Sequence, residues 1–262
     1  MSRERGEILK LWWLLVSKYS YLPIPIRWQA APAELPQALV LMPLWGFMAG
    51  LINAAAARYG WALGSRWLAA LLVFLTILSS GAIWLRDVLS LASGLKPPPC
   101  PPKTAEAAAV LPLPPQSPHK TVPFNRGALI SGCLYLLLQY ICFLFLLRLK
   151  AHYTVYVLAA VLSRFVYIWG VYDFAALLPA FLHRGFSRRN FRRAALSSFV
   201  IVSGCCWATP ALLLALLPSL LAVTLFYRRR LRALFALDEA AYGAAAAWSE
   251  ILLYMSLIMF SW

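Results

Sequence analysis

A carboxylate lies roughly two turns inside the last apolar segment of this chain. Glu250 follows Gly243 and a run of alanines. A charged side chain inside a membrane span is costly, so it usually faces a bundle interior, a partner or a site. If residues 239–250 form one helix, Glu239, Gly243, Ala246 and Glu250 share one face through their 4-3-4 spacing. We expect chemistry here first, with Glu250 as a metal ligand, a base or the partner of a buried cation.

A second charged residue, Arg164, stands inside another apolar segment. Its guanidinium suits either a bound phosphate or an ion pair with Glu250, and both interpretations stay open. Asp87 follows Arg86 directly at the end of an apolar segment, where a surface ion pair is the simpler interpretation. The three histidines are scattered among loops and indicate no metal cluster.

The composition determines which elements must position these residues. Hydrophobic residues make up 62% of the 262 residues and charged residues 13%, whereas a soluble domain averages about 45–50% and 25%. We therefore predict an all-α, polytopic integral membrane helix bundle that forms a single membrane domain over residues 1–262. About seven spans are predicted, at 37–57, 67–85, 127–147, 153–182, 195–209, 210–227 and 243–262.

Two parts of this topology need separate arguments. The block 195–227 is too long for one span and short for two, so a tight hairpin or a single helix kinked at Pro210 are the alternatives. If the hairpin forms, most of the 24 Lys and Arg residues lie on the same side of the membrane as the N-terminus. Because basic residues concentrate in cytoplasmic loops, this distribution favours the hairpin with a cytoplasmic N-terminus. Residues 95–125 are Pro-rich and predict a cytoplasmic loop without helix.

The remaining features exclude some functions and qualify others. The net charge of +15 does not indicate nucleic-acid binding, because no basic, aromatic-rich soluble module accompanies it. The basic clusters at 184–193 and 228–232 are interpreted as topology signals that contact membrane lipid. The five cysteines match neither a metal site nor a disulfide framework. Residues 8–16 are too short to cross a membrane and predict an interfacial helix.

Four segments, in order and spacing, resemble the cobalamin synthase family, the adenosylcobinamide-GDP ribazoletransferases. They are Tyr21-Leu-Pro23-Ile-Pro25, Pro43-Leu-Trp-Gly46-Phe-Met-Ala-Gly50, Leu158 through Ser163-Arg164, and Gly243-Ala244 through Ser249-Glu250. The resemblance runs nearly end to end. It implies a bacterial inner-membrane enzyme that joins adenosylcobinamide-GDP and α-ribazole, or its phosphate, and releases GMP, the last step of cobalamin biosynthesis.

The departures from the family pattern fall on its chemistry. The family's Asp-rich segment corresponds to the stretch 84–94, where its three Asp positions hold Arg86, Ser90 and Ser93, and Asp87 alone remains, displaced by one residue. Two carboxylate positions of the closing motif hold Ala240 and Ala247. These carboxylates matter because phosphate transfer of this type uses Mg²⁺, which prefers carboxylate ligands. The family's Asp-Ser-Arg-x-Gly segment is replaced by the Pro-rich loop, with Arg126-Gly127 as its remnant.

Three hypotheses follow. In the first, the chain keeps the Mg²⁺-dependent transferase reaction. Asp87 and Glu250 are then catalytic, the metal ligands are Asp87, Glu239 and Glu250, and Arg86, Arg126 and Arg164 bind phosphate. In the second, the chain is a non-catalytic relative, a membrane scaffold or corrinoid-binding subunit. In the third, it is a small transporter that uses Glu250 and Arg164, ranked last because no inverted repeat is evident. The sequence leaves open whether the chain forms a homo-oligomer.

Overall fold

The protein was analysed as a computed structural model, which describes residues 2–20, 34–80, 83–92, 126–174, 186–209 and 240–260. Almost all of these residues are helical and none forms a strand, so the all-α prediction is confirmed for the described part of the chain. The helices are α1 (Ser2–Tyr19), α2 (Leu35–Ala38), α3 (Met42–Tyr59), α4 (Gly64–Ser80), α5 (Ile83–Ala92), α6 (Arg126–Arg148), α7 (Thr154–Phe174), α8 (Arg188–Ala208) and α9 (Ala240–Phe260).

Three described helical segments are long and apolar enough to cross a membrane. They are Pro36–Ser80, Arg126–Arg148 and Thr154–Tyr172, and Gly243–Met259 is a shorter apolar helix. The number of seven spans stays a prediction. The predicted span 210–227 and the Pro-rich loop 95–125 lie outside the described residues.

The first of these segments folds back on itself. A 3-10 turn at Gly60–Leu63 separates α3 from α4. The side-chain amide of Asn53 donates to Thr76 Oγ1 at 3.1 Å, and Trp45 Nε1 donates to the carbonyl oxygen of Ser79 at 2.9 Å. These pairs make α3 and α4 antiparallel. Helix α4 is described to Ser80 and α5, which carries Asp87, from Ile83, and residues 81 and 82 lie outside the described residues.

Two glycines let α3 approach α7 closely. A Cβ atom added at Gly46 would lie 2.7 Å from the carbonyl oxygen of Ala160, and one at Gly50 would lie 2.5 Å from Val157 Cα. Real Cβ atoms do not approach a neighbouring backbone this closely. Small residues four apart allow such contact between helices in a membrane, where packing rather than hydrophobicity drives association. The Gly-x-x-x-Gly pattern of α3 therefore determines where α7 lies.

Helices α7 and α9 form the centre of the bundle. From Val155 to Val171 most side chains of α7 are buried, and so are residues 243–247 of α9. Helix α6 runs parallel to α9, since the rings of Phe143 and Tyr254 lie 5.1 Å apart and those of Tyr135 and Trp248 lie 6.1 Å apart. The small residues at the beginning of α9 are thus buried between neighbouring helices.

The two described ends that flank residues 210–239 lie at opposite ends of the bundle. The Thr209 hydroxyl lies 2.8 Å from the Thr154 hydroxyl, at the start of α7. Gly243 instead contacts Asp87 of α5, and α5 contacts the beginning of α6 through Leu89 and Gly132. The predicted hairpin at 195–227 extends beyond the described residues. Its described half, α8, begins at Arg188 rather than at 195.

The N-terminal helix is longer than the interfacial helix predicted over 8–16. Helix α1 begins at Ser2 and ends at Tyr19, and it buries Leu15 and Val16 while Ile8 and Leu9 stay exposed. Tyr19 packs edge-to-face on Tyr167 of α7, with ring centroids 5.9 Å apart. Helix α1 is therefore packed against the bundle, with one apolar edge left exposed.

Candidate functional site

A group of polar side chains is buried where α6, α7 and α9 meet. We call it the core polar cluster, and it consists of Tyr135, Gln139, Ser163, Arg164, Glu250 and Tyr254. Each of these residues is at least 97% buried. Buried polar groups inside an apolar bundle are costly unless they find partners. The partners of each group, and the atoms left without one, therefore show what the cluster can bind.

Glu250 occupies the middle of this cluster. The Tyr254 hydroxyl, one turn further along α9, donates to Glu250 Oε1 at 3.2 Å. The carboxyl group also interacts electrostatically with Arg164 and with the Ser163 hydroxyl of α7. Among the described residues, Glu250 Oε2 has no hydrogen-bond partner. The carboxylate thus keeps one acceptor oxygen available.

Arg164 faces Glu250 from α7. Its Nη1 donates to the carbonyl oxygen of Ala160 at 2.9 Å, and its Cζ lies 4.8 Å from the ring centroid of Trp84. Its charge interacts with Glu250, Tyr254 and Tyr135, but no guanidinium nitrogen comes within 4.0 Å of the Glu250 carboxylate. The two charges therefore attract each other without the direct ion pair that the sequence suggested. The guanidinium also lines a narrow cleft between Trp45, Ser80 and Trp84.

Gln139 adds an amide that finds no partner. It is fully buried on α6, one turn after Tyr135 and one turn before Phe143. Neither its amide nitrogen nor its oxygen has a hydrogen-bond partner in the described part of the chain. Tyr135 interacts with both Glu250 and Arg164, so the face of α6 that carries Gln139 looks onto the cluster. The cluster thus offers an unpaired donor and unpaired acceptors in one buried layer.

Asp87 lies on α5 and contacts α9 at Gly243, two turns before Glu250. It is 96% buried, and a Cβ atom added at Gly243 would lie 1.8 Å from Asp87 Oδ2. Only a glycine at position 243 lets this carboxylate reach the α9 backbone. Arg86 Nη2 lies 3.6 Å from Asp87 Oδ1. The predicted ion pair is therefore present, with an exposed guanidinium and a buried carboxylate rather than two surface groups.

The other predicted site residues are less closely involved. Arg86 and Arg126 are both exposed, at the end of the bundle where α5 meets the beginning of α6. Neither belongs to the core polar cluster. Glu239 lies outside the described residues. The other three members of the predicted helix face, Gly243, Ala246 and Glu250, are all buried.

The buried carboxylates Asp87 and Glu250 do not fit a shared Mg²⁺ site. Glu250 is seven residues after Gly243, which Asp87 contacts, a distance of about 10 Å along the helix. Mg²⁺ holds its ligands at about 2.1 Å in a strict octahedron. Asp87 and Glu250 therefore do not converge on one ion, and each faces a guanidinium instead. No group of three His, Cys, Asp or Glu side chains that could hold a metal occurs among the described residues.

Sequence reasoning missed Gln139, Tyr135 and Tyr254. A signal for Gln139 was present in the sequence, because it is the only amide side chain in α6. The other residues between Arg126 and Arg148 are apolar, aromatic or small. An amide in a span is expensive for the same reason as a charge. The two tyrosines gave no such signal, because a tyrosine in a span is as common at its lipid interface as in its interior.

The described structure thus defines a helical protein with three segments able to cross a membrane and a buried, partly unpaired charged cluster between its central helices. No protein-family model, curated protein or solved structure matches this chain.

Proposed function

We propose that this chain is an integral membrane protein of the cobalamin synthase type that binds a nucleotide-activated corrinoid at the core polar cluster. In this proposal it acts as a corrinoid-binding subunit. Its site lies in the bacterial cytoplasmic membrane, and the Asp87 end of the bundle faces the cytoplasm together with the N-terminus. The excess of basic residues on that side supports the orientation.

The convergence of the segments that carry the resemblance supports this proposal. These segments are far apart in the chain, yet Gly46 of the first span lies against Arg164, and Trp84 stacks on the same guanidinium. Asp87, in the stretch that corresponds to the Asp-rich motif, contacts Gly243 of the closing motif. Arg164 in turn faces Glu250. Three of the four segments that carry the resemblance, together with the stretch 84–94, thus lie around Arg164 and Glu250.

The chemistry of the cluster fits binding better than metal-assisted transfer. An arginine recognises phosphate oxygens through several N–H donors in a fixed plane. The unpaired groups of Gln139 and Glu250 suit the many carboxamides of a corrinoid, each of which both donates and accepts hydrogen bonds. Two turns of α9 separate Glu250 from Gly243, the residue that Asp87 contacts, and each of these two carboxylates faces a cation.

Equilibrium dialysis of the detergent-purified chain against adenosylcobinamide-GDP tests this proposal. We expect the wild type to bind the corrinoid and Arg164→Lys, which keeps the charge but loses the planar donor set, to bind at least tenfold more weakly. Arg148→Gln is the matched control, because Arg148 is an exposed cation at the C-terminal end of α6 and is not part of the core polar cluster. Absence of binding by a wild-type chain that elutes as a folded, monodisperse species would contradict the proposal.

A retained transferase activity is the second candidate, and the contact between Asp87 and Gly243 favours it. In that reaction the α-ribazole hydroxyl oxygen forms a bond to the phosphorus attached to cobinamide, and the bond from that phosphorus to the GMP oxygen breaks. The hydroxyl proton goes to a base. In this candidate Asp87 accepts the proton, and its position at the same end of the bundle as the exposed Arg86 and Arg126 supports that role.

Release of GMP distinguishes the two candidates. The purified chain is incubated with adenosylcobinamide-GDP and α-ribazole, with and without Mg²⁺, and GMP is measured by chromatography. A binding subunit releases no GMP above an Asp87→Asn control. Mg²⁺-dependent release by the wild type that Asp87→Asn abolishes would establish the transferase instead.

A further inference from the structure

A sizeable opening lies at the other end of the bundle, far from Asp87. It is a cavity of about 410 Å³, which we call the end cavity. Its lining comprises Ala57, Trp61, Leu146, Leu147, Lys150, Ala151, Tyr153 and Tyr156. These residues come from the ends of α3 and α6, the start of α7 and the connections beside them. The cavity therefore opens where membrane-crossing helices leave the hydrocarbon.

The rim of the end cavity contains a residue in an unfavourable backbone conformation. Lys150 has φ +52°, the only positive φ at a described residue other than glycine. It terminates α6 in a Schellman arrangement, in which the Lys150 amide donates to Leu147 and the Ala151 amide donates to Leu146. Glycine usually occupies this position because a Cβ atom is strained there. A lysine at this strained position points to a role for its side chain, which lines the cavity.

A second cation contacts the cavity wall. The Arg58 guanidinium lies 5.7 Å from the ring centroid of Tyr153, which is part of this wall. Among the groups that line the cavity there is no carboxylate to neutralise Lys150. The end cavity thus combines the Lys150 cation and aromatic rings with an apolar floor of Leu146, Leu147 and Ala57, and Arg58 packs against one of those rings.

We propose that the end cavity binds the phosphodiester head group of an anionic phospholipid, with Lys150 and Arg58 on the phosphate. A cation pair attracts the phosphate, and tyrosine and tryptophan rings at the level of the head groups pack against the glycerol region. The volume suits a head group and its first methylenes. The acyl chains then continue along the exposed apolar surface beside Trp61 and Leu63. This site is independent of the proposed corrinoid binding.

Native mass spectrometry with defined lipids tests the site. The detergent-purified chain is titrated with phosphatidylglycerol and, separately, with phosphatidylcholine of the same acyl chains. We expect tighter binding of phosphatidylglycerol, and at least a fivefold weakening in Lys150→Gly and in Lys150→Gln. Arg148→Gln, which removes a charge two residues away outside the cavity, should bind as the wild type does.

Two design points make the result decisive. Glycine suits the backbone of position 150, so Lys150→Gly is expected to melt no lower than the wild type, and lost lipid binding is then not lost folding. Soluble glycerol phosphate, added as a competitor, separates a lipid from a free phosphate ester. Equal binding of both lipids, an equal loss in Arg148→Gln, or full displacement by millimolar glycerol phosphate would overturn the proposal.

Discussion

The core polar cluster and the end cavity both place a cation beside aromatic rings, but in opposite surroundings. Arg164 is 99% buried, with Trp84 on its plane and a carboxylate facing it. Lys150 is exposed, lines an open cavity without a carboxylate and sits on a strained backbone. In the core polar cluster the charge of Arg164 faces a carboxylate of the same protein. In the end cavity no lining carboxylate faces Lys150, so its charge is available to a bound ligand.

This difference determines how each site can be changed. Removing one partner of a buried charge pair leaves the other uncompensated, so the core polar cluster is tightly linked to stability. The exposed lysine contributes little to stability, and its strained conformation even opposes it. Removing a charge should therefore destabilise the protein at the first site, whereas at the second site it should weaken ligand binding without destabilising the protein.

The largest effect is expected from breaking the buried pair. Glu250→Leu or Arg164→Leu should each destabilise the protein by about 3–5 kcal/mol, because one charge stays buried without its counterpart. The double variant should recover much of this loss, since two apolar side chains replace two charges. Unfolding in mixed detergent micelles, followed by circular dichroism, measures all three. Additive losses in the double variant would show that the two charges do not act as a pair.

Forcing α3 away from α7 should come next. A side chain at Gly50 meets the α7 backbone at 2.5 Å, so Gly50→Leu should cost about 1–3 kcal/mol through overpacking and shift Arg164. The matched control is Gly204→Leu on α8, where an added Cβ meets nothing within 4 Å. Thermal melting of both variants gives the comparison. A similar melting temperature for both would mean that the α3–α7 contact is not tightly packed.

Gln139→Leu should separate stability from binding within the core polar cluster. The amide has no partner among the described residues, so an apolar side chain of similar size should stabilise the chain by about 1–2 kcal/mol. The same change should weaken corrinoid binding several-fold in equilibrium dialysis. Asn53→Leu is the contrasting variant, because Asn53 donates to Thr76 and its loss should destabilise. A destabilised Gln139→Leu would indicate that the amide already has a partner.

The smallest effect on stability belongs to the end cavity. Lys150→Gly should raise the free energy of unfolding by about 1 kcal/mol, because it relieves the positive φ at the end of α6. The Lys150→Ala variant, which keeps a Cβ atom, should not gain this stability. Chemical unfolding of the two variants side by side measures the difference. Equal stability of the two would show that the backbone at residue 150 is not strained.

The sequence predicted the helical architecture and the central charges for clear physical reasons. Long apolar segments must satisfy their backbone groups internally, and a charge inside such a segment must face the interior. Arg164 and Glu250 were found in this way, and their interaction follows from that constraint. The burial of Asp87 was not predicted, because a carboxylate at the end of an apolar segment is expected at the surface.

The finer geometry of both sites was beyond sequence reasoning. Whether Arg164 and Glu250 touch depends on how closely α7 and α9 pack, and periodicity along one helix does not determine that distance. The strained lysine was missed for a different reason. Glycine is the usual signal for a left-handed helix end, and Lys150 follows a span where positive residues are expected from topology alone.

Parallel titrations of Arg164→Lys and Lys150→Gly with adenosylcobinamide-GDP test the central claim most directly, namely that the corrinoid site is the core polar cluster. The account predicts that Lys150→Gly binds the corrinoid as tightly as the wild type, while Arg164→Lys binds it at least tenfold more weakly. Lost binding in Lys150→Gly together with wild-type affinity in Arg164→Lys would contradict it, and would place the corrinoid in the end cavity instead.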